Sequence, residues 1–210
     1  MSHGFLDIAA TPGVRALQAA RGSDRVWQNA KGHTPFAGFT PDETAFVARR
    51  DSFYMATVSE TGWPYVQHRG GPPGFLKVLD GKTLAFADYR GNRQYISAGN
   101  LGANNRVALI LVDYARRTRL KILACAEALA LEAEPDLAML VALPGYKARP
   151  ERILRLRVAA FDWNCPQHIT PRFTGMDIAG TVRPLRDQLA ALEAENAELR
   201  GIVAAGRGGS

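Results

Sequence analysis

The chain is short of cysteine. It has two, Cys125 and Cys165, and no CxxC pair, which is too few for a disulfide framework. Histidine is scarce as well: His3, His33, His68 and His168 show no metal-ligand spacing, so no metal is expected. No apolar run reaches the roughly 18 residues that span a bilayer, and residues 120–131 are broken by Lys121 and Glu127. The opening MSHGFLDIAATPGVRAL lacks the basic start and long apolar stretch of a secretory signal. No GxGxxG follows a strand and no Walker-type loop is present. These absences argue against a disulfide-stapled secreted scaffold, a membrane-spanning protein and a Rossmann or P-loop fold. A cytoplasmic location without a membrane partner is the expectation.

What is present is a 210-residue chain with 47% hydrophobic and 22% charged residues, the ordinary mix of a domain with an appendage. Its net charge of +6 favours anionic partners: a phosphorylated cofactor, an acidic substrate or nucleic acid. Arg116, Arg117 and Arg119 form the densest basic run, which reads as a solvated hairpin turn. No DNA-binding motif accompanies it, so no nucleic-acid partner is expected.

Residues 1–40, rich in Gly, Pro and small polar residues, read as an arm lying over the domain. Thr40-Pro41-Asp42-Glu43 is a helix start: Thr40 caps, Pro41 fits the first helical position, and Glu43 completes a capping box. That helix runs to about Arg50 and buries Phe46 and Val47. The period then changes, with Phe53, Met55 and Thr57 facing one side of a strand and Tyr54, Ala56 and Val58 the other. Further strands are expected at 64–68, 75–79, 83–87, 106–114, 119–131 and 153–163, and helices at 92–101 and 135–143. The total is about seven strands in sequential order with DG-type turns, which argues for an antiparallel β-barrel with peripheral helices.

Towards the end, Val182, Leu185, Leu189, Leu192, Asn196, Leu199 and Val203 recur at spacings of three and four. Asn196 takes an a-type position, where a buried amide pairs with its twin in a parallel two-stranded coil, and Glu195 and Arg200 suit a g–e′ pair. An amphipathic helix packed on its own barrel is the competing reading. The expected organisation is an arm at 1–40, a barrel domain at 41–180, a helix at 181–205 and a flexible tail at 206–210.

One cluster exceeds what packing requires. Lys77 lies in an apolar strand, and one hairpin later Gly91-Asn92-Arg93 opens the expected helix. A strand Lys, an Arg at a helix start and a neighbouring amide suit a phosphate dianion, with free backbone N–H groups and the positive dipole end beside them.

The stretch around this cluster, RGGPPGFLKVLD…FADYRGNRQYISAGNL, with Asn105-Arg106-Val107 and the later WNCPQHITPR, resembles the pyridoxamine 5'-phosphate oxidase-like FMN-binding split barrels, across about residues 40–173. The resemblance implies a homodimer with FMN at the subunit interface and hydride transfer between a small-molecule substrate or nicotinamide and the flavin. A non-catalytic flavin binder or a haem-handling relative is the alternative. Residue by residue, it implies that Arg93 with Lys77 holds the FMN phosphate, flanked by Asn92 and Gln94. Gln94 stands where the family commonly has Lys. Ala87 and Asp88 occupy the strand end that touches the flavin, and Arg119 approaches its ring or ribityl chain. Trp163 and Arg172 match positions that reach FMN across the dimer interface. Arg69, the only cation in the Gly/Pro loop, is added on its own chemistry. The oxidase proper carries Arg-x-His near its C-terminus, whereas here the run is Gln167-His168-Ile169-Thr170-Pro171-Arg172, so a true pyridoxamine phosphate oxidase is not expected. Cys125 is expected in the core, Cys165 is expected to be structural, and no residue stands out as acid or base.

Overall fold

The computed structural model describes residues 2–28, 33–164 and 166–207; Cys165 lies outside them. In chain order the elements are β1 (Ser2–His3), α1 (Phe5–Ala9), α2 (Pro12–Ala20), α3 (Asp24–Gln28), β2 (His33–Thr34), α4 (Pro41–Ala48), β3 (Ser52–Val58), β4 (Pro64–Gly70), β5 (Lys77–Asp80) and β6 (Thr83–Tyr89). There follow α5 (Ile96–Ala103), β7 (Arg106–Asp113), β8 (Thr118–Leu129), α6 (Pro135–Val141), β9 (Pro150–Asn164) and α7 (Gly175–Arg207). Two units are distinct: Met1–Asp113 with Arg117–Ile169, and Tyr114–Arg116 with Thr170–Ser210.

The first unit is a mainly antiparallel sheet, ordered β2-β1-β9-β8-β7-β3-β4, with β6 joining β9 and β5 joining β6. Alternation sets its inside. Phe53, Met55 and Thr57 of β3, Val107, Leu109 and Leu111 of β7, and Leu120, Ile122, Ala124 and Ala126 of β8 are buried, while their neighbours face outward. Phe75 and Phe86 meet Phe53 at 5.6 and 5.3 Å between ring centroids. These rings fill the interior where β4 and β6 lie without a backbone ladder between them. β6 also buries its other face, where Ala85 and Ala87 meet Val141 and Ile153 beneath α6.

The capping box forms at Thr40. The Glu43 carboxylate accepts from the Thr40 N–H at 2.9 Å and, through its other oxygen, from the Trp163 indole at 2.6 Å. The arm is more structured than its composition suggests: β1 pairs with β9, and Phe36 and Phe39 pack on Phe161. At 92–101 the expected helix starts late. Arg93 and Tyr95 take left-handed φ of 63° and 54°, and the Asn92 side chain accepts from the Gln94 N–H at 3.2 Å, so these residues make a turn and α5 begins at Ile96.

In the second unit, α7 begins at Gly175, ahead of the expected 181, because Thr174 and Asp177 form a reciprocal cap at 2.8 and 3.2 Å. Pro184 sits inside this helix. No helix among the described residues is long and apolar enough to cross a membrane.

Candidate functional site

A cleft of about 270 Å³ opens where β4, the end of β6, the 91–95 turn and the start of α5 meet. Pairing in β3–β4 places Arg69 opposite Phe53, Gln67 opposite Met55 and Tyr65 opposite Thr57. These three therefore share the inward face, and the inner edge of β4 forms one wall. Arg69 thus belongs to β4 rather than to the Gly/Pro loop, because the strand runs two residues past its expected end.

Opposite stands Asp88, last of the inward-facing residues of β6 and 9% exposed. Arg69 Nη1 lies 2.5 Å from one of its oxygens. Register in β6–β9 brings Arg152 directly across from Asp88, and Arg152 Nε lies 3.4 Å from the other oxygen. The chain of charge continues outward. Arg152 Nη2 is 3.4 Å from Glu151, whose other oxygen is 3.7 Å from Arg90 Nε and accepts from the Tyr95 hydroxyl at 3.3 Å. Tyr95 in turn accepts from Arg93 Nε at 3.4 Å, a bond that raises the Arg93 pKa, and its ring lies 4.9 Å from the Arg152 guanidinium.

Of these charged groups, Arg69, Arg93, Asp88 and Glu151 line the cleft, and Arg90 and Arg152 pair with its two carboxylates. Arg69 Nε is buried with no hydrogen-bond partner. The first N–H groups of α5 have no intrahelical acceptor, and no side chain caps them at Tyr95. Ile96, Ser97 and Ala98 line the same cleft. Such a set of donors suits an anion with several oxygens. The Tyr89 hydroxyl, also buried without a partner, belongs to a phenol whose pKa is raised by burial and by neighbouring Tyr146. It stays a proton donor at neutral pH.

Of the residues singled out in the sequence, the cleft gathers Arg69, Asp88, Asn92, Arg93 and Gln94. Lys77 is not among its lining residues, so the expected convergence of Lys77 with Arg93 does not occur in this cleft. Strand parity is the reason: Lys77 pairs with Ala85, on the same face of β6 as Ala87, whereas Asp88 points to the opposite face. Ala87 itself is covered by α6, not by the cleft. Arg119 sits on the outer face of β8 opposite Val112 and Asn164, and its Nε is buried without a partner. Trp163 packs edge-on against Phe46 while bonded to Glu43. Arg172 lies in the second unit, 5.0 Å from the Tyr114 ring.

Arg90, Arg152, Glu151, Tyr95 and Ser97 went unnoticed in the sequence. Tyr95 and Arg90 flank the glycine turn and were within reach of a local reading. Arg152 and Glu151 arrive through the β6–β9 register, which no local pattern announces. Among the described residues, no group of three or more His, Cys, Asp or Glu side chains is placed to hold a metal ion.

A family model for pyridoxamine 5'-phosphate oxidase matches residues 39–200 of the chain. No curated protein matches it. Among solved structures, HupZ of group A Streptococcus is similar at 17% identity over 64% of this chain and 99% of its own, with a TM-score of 0.47. A Clostridium acetobutylicum protein of the pyridoxinephosphate oxidase family, related to general stress protein 26 of B. subtilis, is 16% identical over 61% of this chain and 88% of its own, at a TM-score of 0.44. HutZ, the heme storage protein of Vibrio cholerae, is 17% identical over 56% and 88%, at a TM-score of 0.37.

Proposed function

We propose, since this chain belongs to the pyridoxamine 5'-phosphate oxidase family, that it is an FMN-binding homodimer whose cleft between β4, β6 and α5 holds the flavin phosphate. The observation that carries this reading is the donor set on one cleft: the guanidiniums of Arg69 and Arg93, an uncapped helix start and the unpartnered Nε of Arg69. A phosphate dianion satisfies each of these at once. Arg69 and Arg93 hold the phosphate, the Asn92–Gln94 turn presents Arg93, and Asp88 fixes the direction of Arg69. Lys77 and Ala87 face elsewhere and are left out of the set.

At about 270 Å³ the cleft takes a phosphate and part of a ribityl chain; whole ligand sites run from about 300 to 1,000 Å³. A second copy supplies the rest. The outer face of β4–β3–β7–β8 suits that role, because its register sets Val66, Ala56, Ala108 and Leu123 in one row and Tyr54 beside Ile110 in the next. Val66 is 60% exposed and Tyr54 40%, a mostly apolar surface that a second barrel would cover. Arg119 lies on this face with its unpartnered Nε, so it is what the second copy brings towards the flavin.

When bound, FMN supplies hydride acceptance and donation at its ring. The protein contributes orientation and charge, in an oxidoreductase acting on a small organic molecule or a nicotinamide. Titration with FMN, followed by visible absorption and flavin fluorescence, tests the binding. Arg93→Glu and Arg69→Met should each weaken it at least about tenfold, the loss of one charge-assisted contact. Unchanged FMN retention in both, or retention of haemin in place of FMN, overturns the reading. Reduction of the bound flavin by NADH or NADPH then separates an enzyme from a flavin carrier.

A further inference from the structure

We infer that α7 is one strand of a parallel, two-stranded coiled coil whose other strand is the α7 of a second copy of this chain, with the register set by Asn196. The helix runs 33 residues, Gly175–Arg207, or roughly 50 Å at the α-helical rise. One stripe along it is apolar and open: Leu185 is 61% exposed, Leu189 56%, Leu192 54%, Leu199 53% and Val203 55%. A helix with such a stripe left in water is incomplete, and the details of the stripe say what completes it.

In heptad terms Val182, Leu189, Asn196 and Val203 are a positions, and Ile178, Leu185, Leu192 and Leu199 are d positions. Leucine at three of the four d positions, with β-branched or amide residues at most a positions, is the pattern of two strands. Asn196 discriminates further. Against a barrel wall or an antiparallel strand its amide would face an apolar layer without a partner, whereas in a parallel pair it meets its own twin and both amides are satisfied. Charges agree with the same register. Glu195 at g faces Arg200 at e′ of the second strand, so the pair is attractive on both sides of the seam.

Two features of the helix surface fit. A shallow recess is lined by Leu192, Glu193, Asn196, Ala197 and Arg200. Leu192, Glu193 and Asn196 supply three corners of the hole that receives a facing d-position leucine. Pro184, the one residue that cannot donate within the helix, falls at c, on the outer side away from the seam. The backbone donor that Pro184 lacks is thus missing on the side that the second strand does not touch. None of this rests on the flavin site.

The test is a cysteine crosslink in the full-length protein. Leu199→Cys puts a thiol at d, where two strands in parallel register face each other. Ala194→Cys puts one at f, on the outside, and carries the same two native cysteines as background. Under mild oxidation the L199C chain should run at twice its reduced mass on a non-reducing gel, and the A194C chain should not. L192C, one heptad earlier, should behave as L199C does. An antiparallel pair gives no crosslink at position 199, since only position 192 lies near the helix midpoint. A helix packed on its own chain gives none at either d position, and equal crosslinking of L199C and A194C marks chance encounter. Any of these results overturns the inference.

Discussion

Asp88 is held between two guanidiniums at the mouth of the cleft, and its substitution separates two effects that are easily confused. With Asp88→Asn, Arg69 and Arg152 lose their shared counter-charge while staying largely buried. Breaking such a pair costs about 3 kcal/mol, readable as a lower urea midpoint at unchanged slope. The same change adds a positive charge to the cleft, so inorganic phosphate should bind more tightly and with steeper salt dependence. A variant that is less stable yet binds phosphate better would show that the charge of Asp88 acts on the anion more strongly than its hold on Arg69 does. Gly71 makes the second prediction at this scale. A Cβ there would lie 2.8 Å from Phe75 Cβ, and Phe75 is buried against Phe53 and Phe86. Gly71→Ala should therefore cost about 1–3 kcal/mol through displacement of that ring, visible in thermal unfolding and in the near-ultraviolet dichroism of the aromatic cluster.

Among the elements, α4 carries its own start in four consecutive residues, and the capping box formed where Thr40-Pro41-Asp42-Glu43 placed it. Glu43 also carries a pH dependence. Burial pushes its carboxyl up, but hydrogen bonds from Thr40 and Trp163 outweigh that and leave it below its ordinary value. A lowered pKa means that the stabilisation is present above the unfolded value, about 4.3, and is lost as pH falls through the folded one. Glu43→Gln should flatten the acid limb of stability against pH below about pH 4.3, at a cost of about 1–2 kcal/mol at neutral pH. Chemical unfolding across that range measures both. The strands were legible for the same local reason, since the alternation of Phe53, Met55 and Thr57 is a period of two. α5 was misplaced because its composition is helical from Asn92, and only the left-handed turns at Arg93 and Tyr95 delay it. Arg152 was invisible because what puts it beside Asp88 is the pairing of strands far apart in the chain. Lys77 misled because its residue type suited phosphate, whereas its face was decided by the same unreadable register.

For the molecule as a whole, two separate surfaces invite a second copy: the outer sheet face and the stripe of α7. They can be told apart. Ala108→Arg places a charge in the middle of the Ala56–Ala108–Leu123 row. It should weaken FMN retention at least about tenfold, as loss of the shared flavin site requires, while leaving the L199C crosslink intact. Light scattering and flavin absorbance on the same sample decide it. β9 has a consequence of a different kind. It pairs with β8 along most of its length, with β6 at one end and with β1 at the other. During synthesis the nascent chain therefore carries an unclosed sheet, with the edges of β6 and β8 bare, until residue 164 has cleared the ribosomal tunnel. Truncations that stop before Pro150 should consequently emerge as chaperone clients rather than as smaller soluble domains.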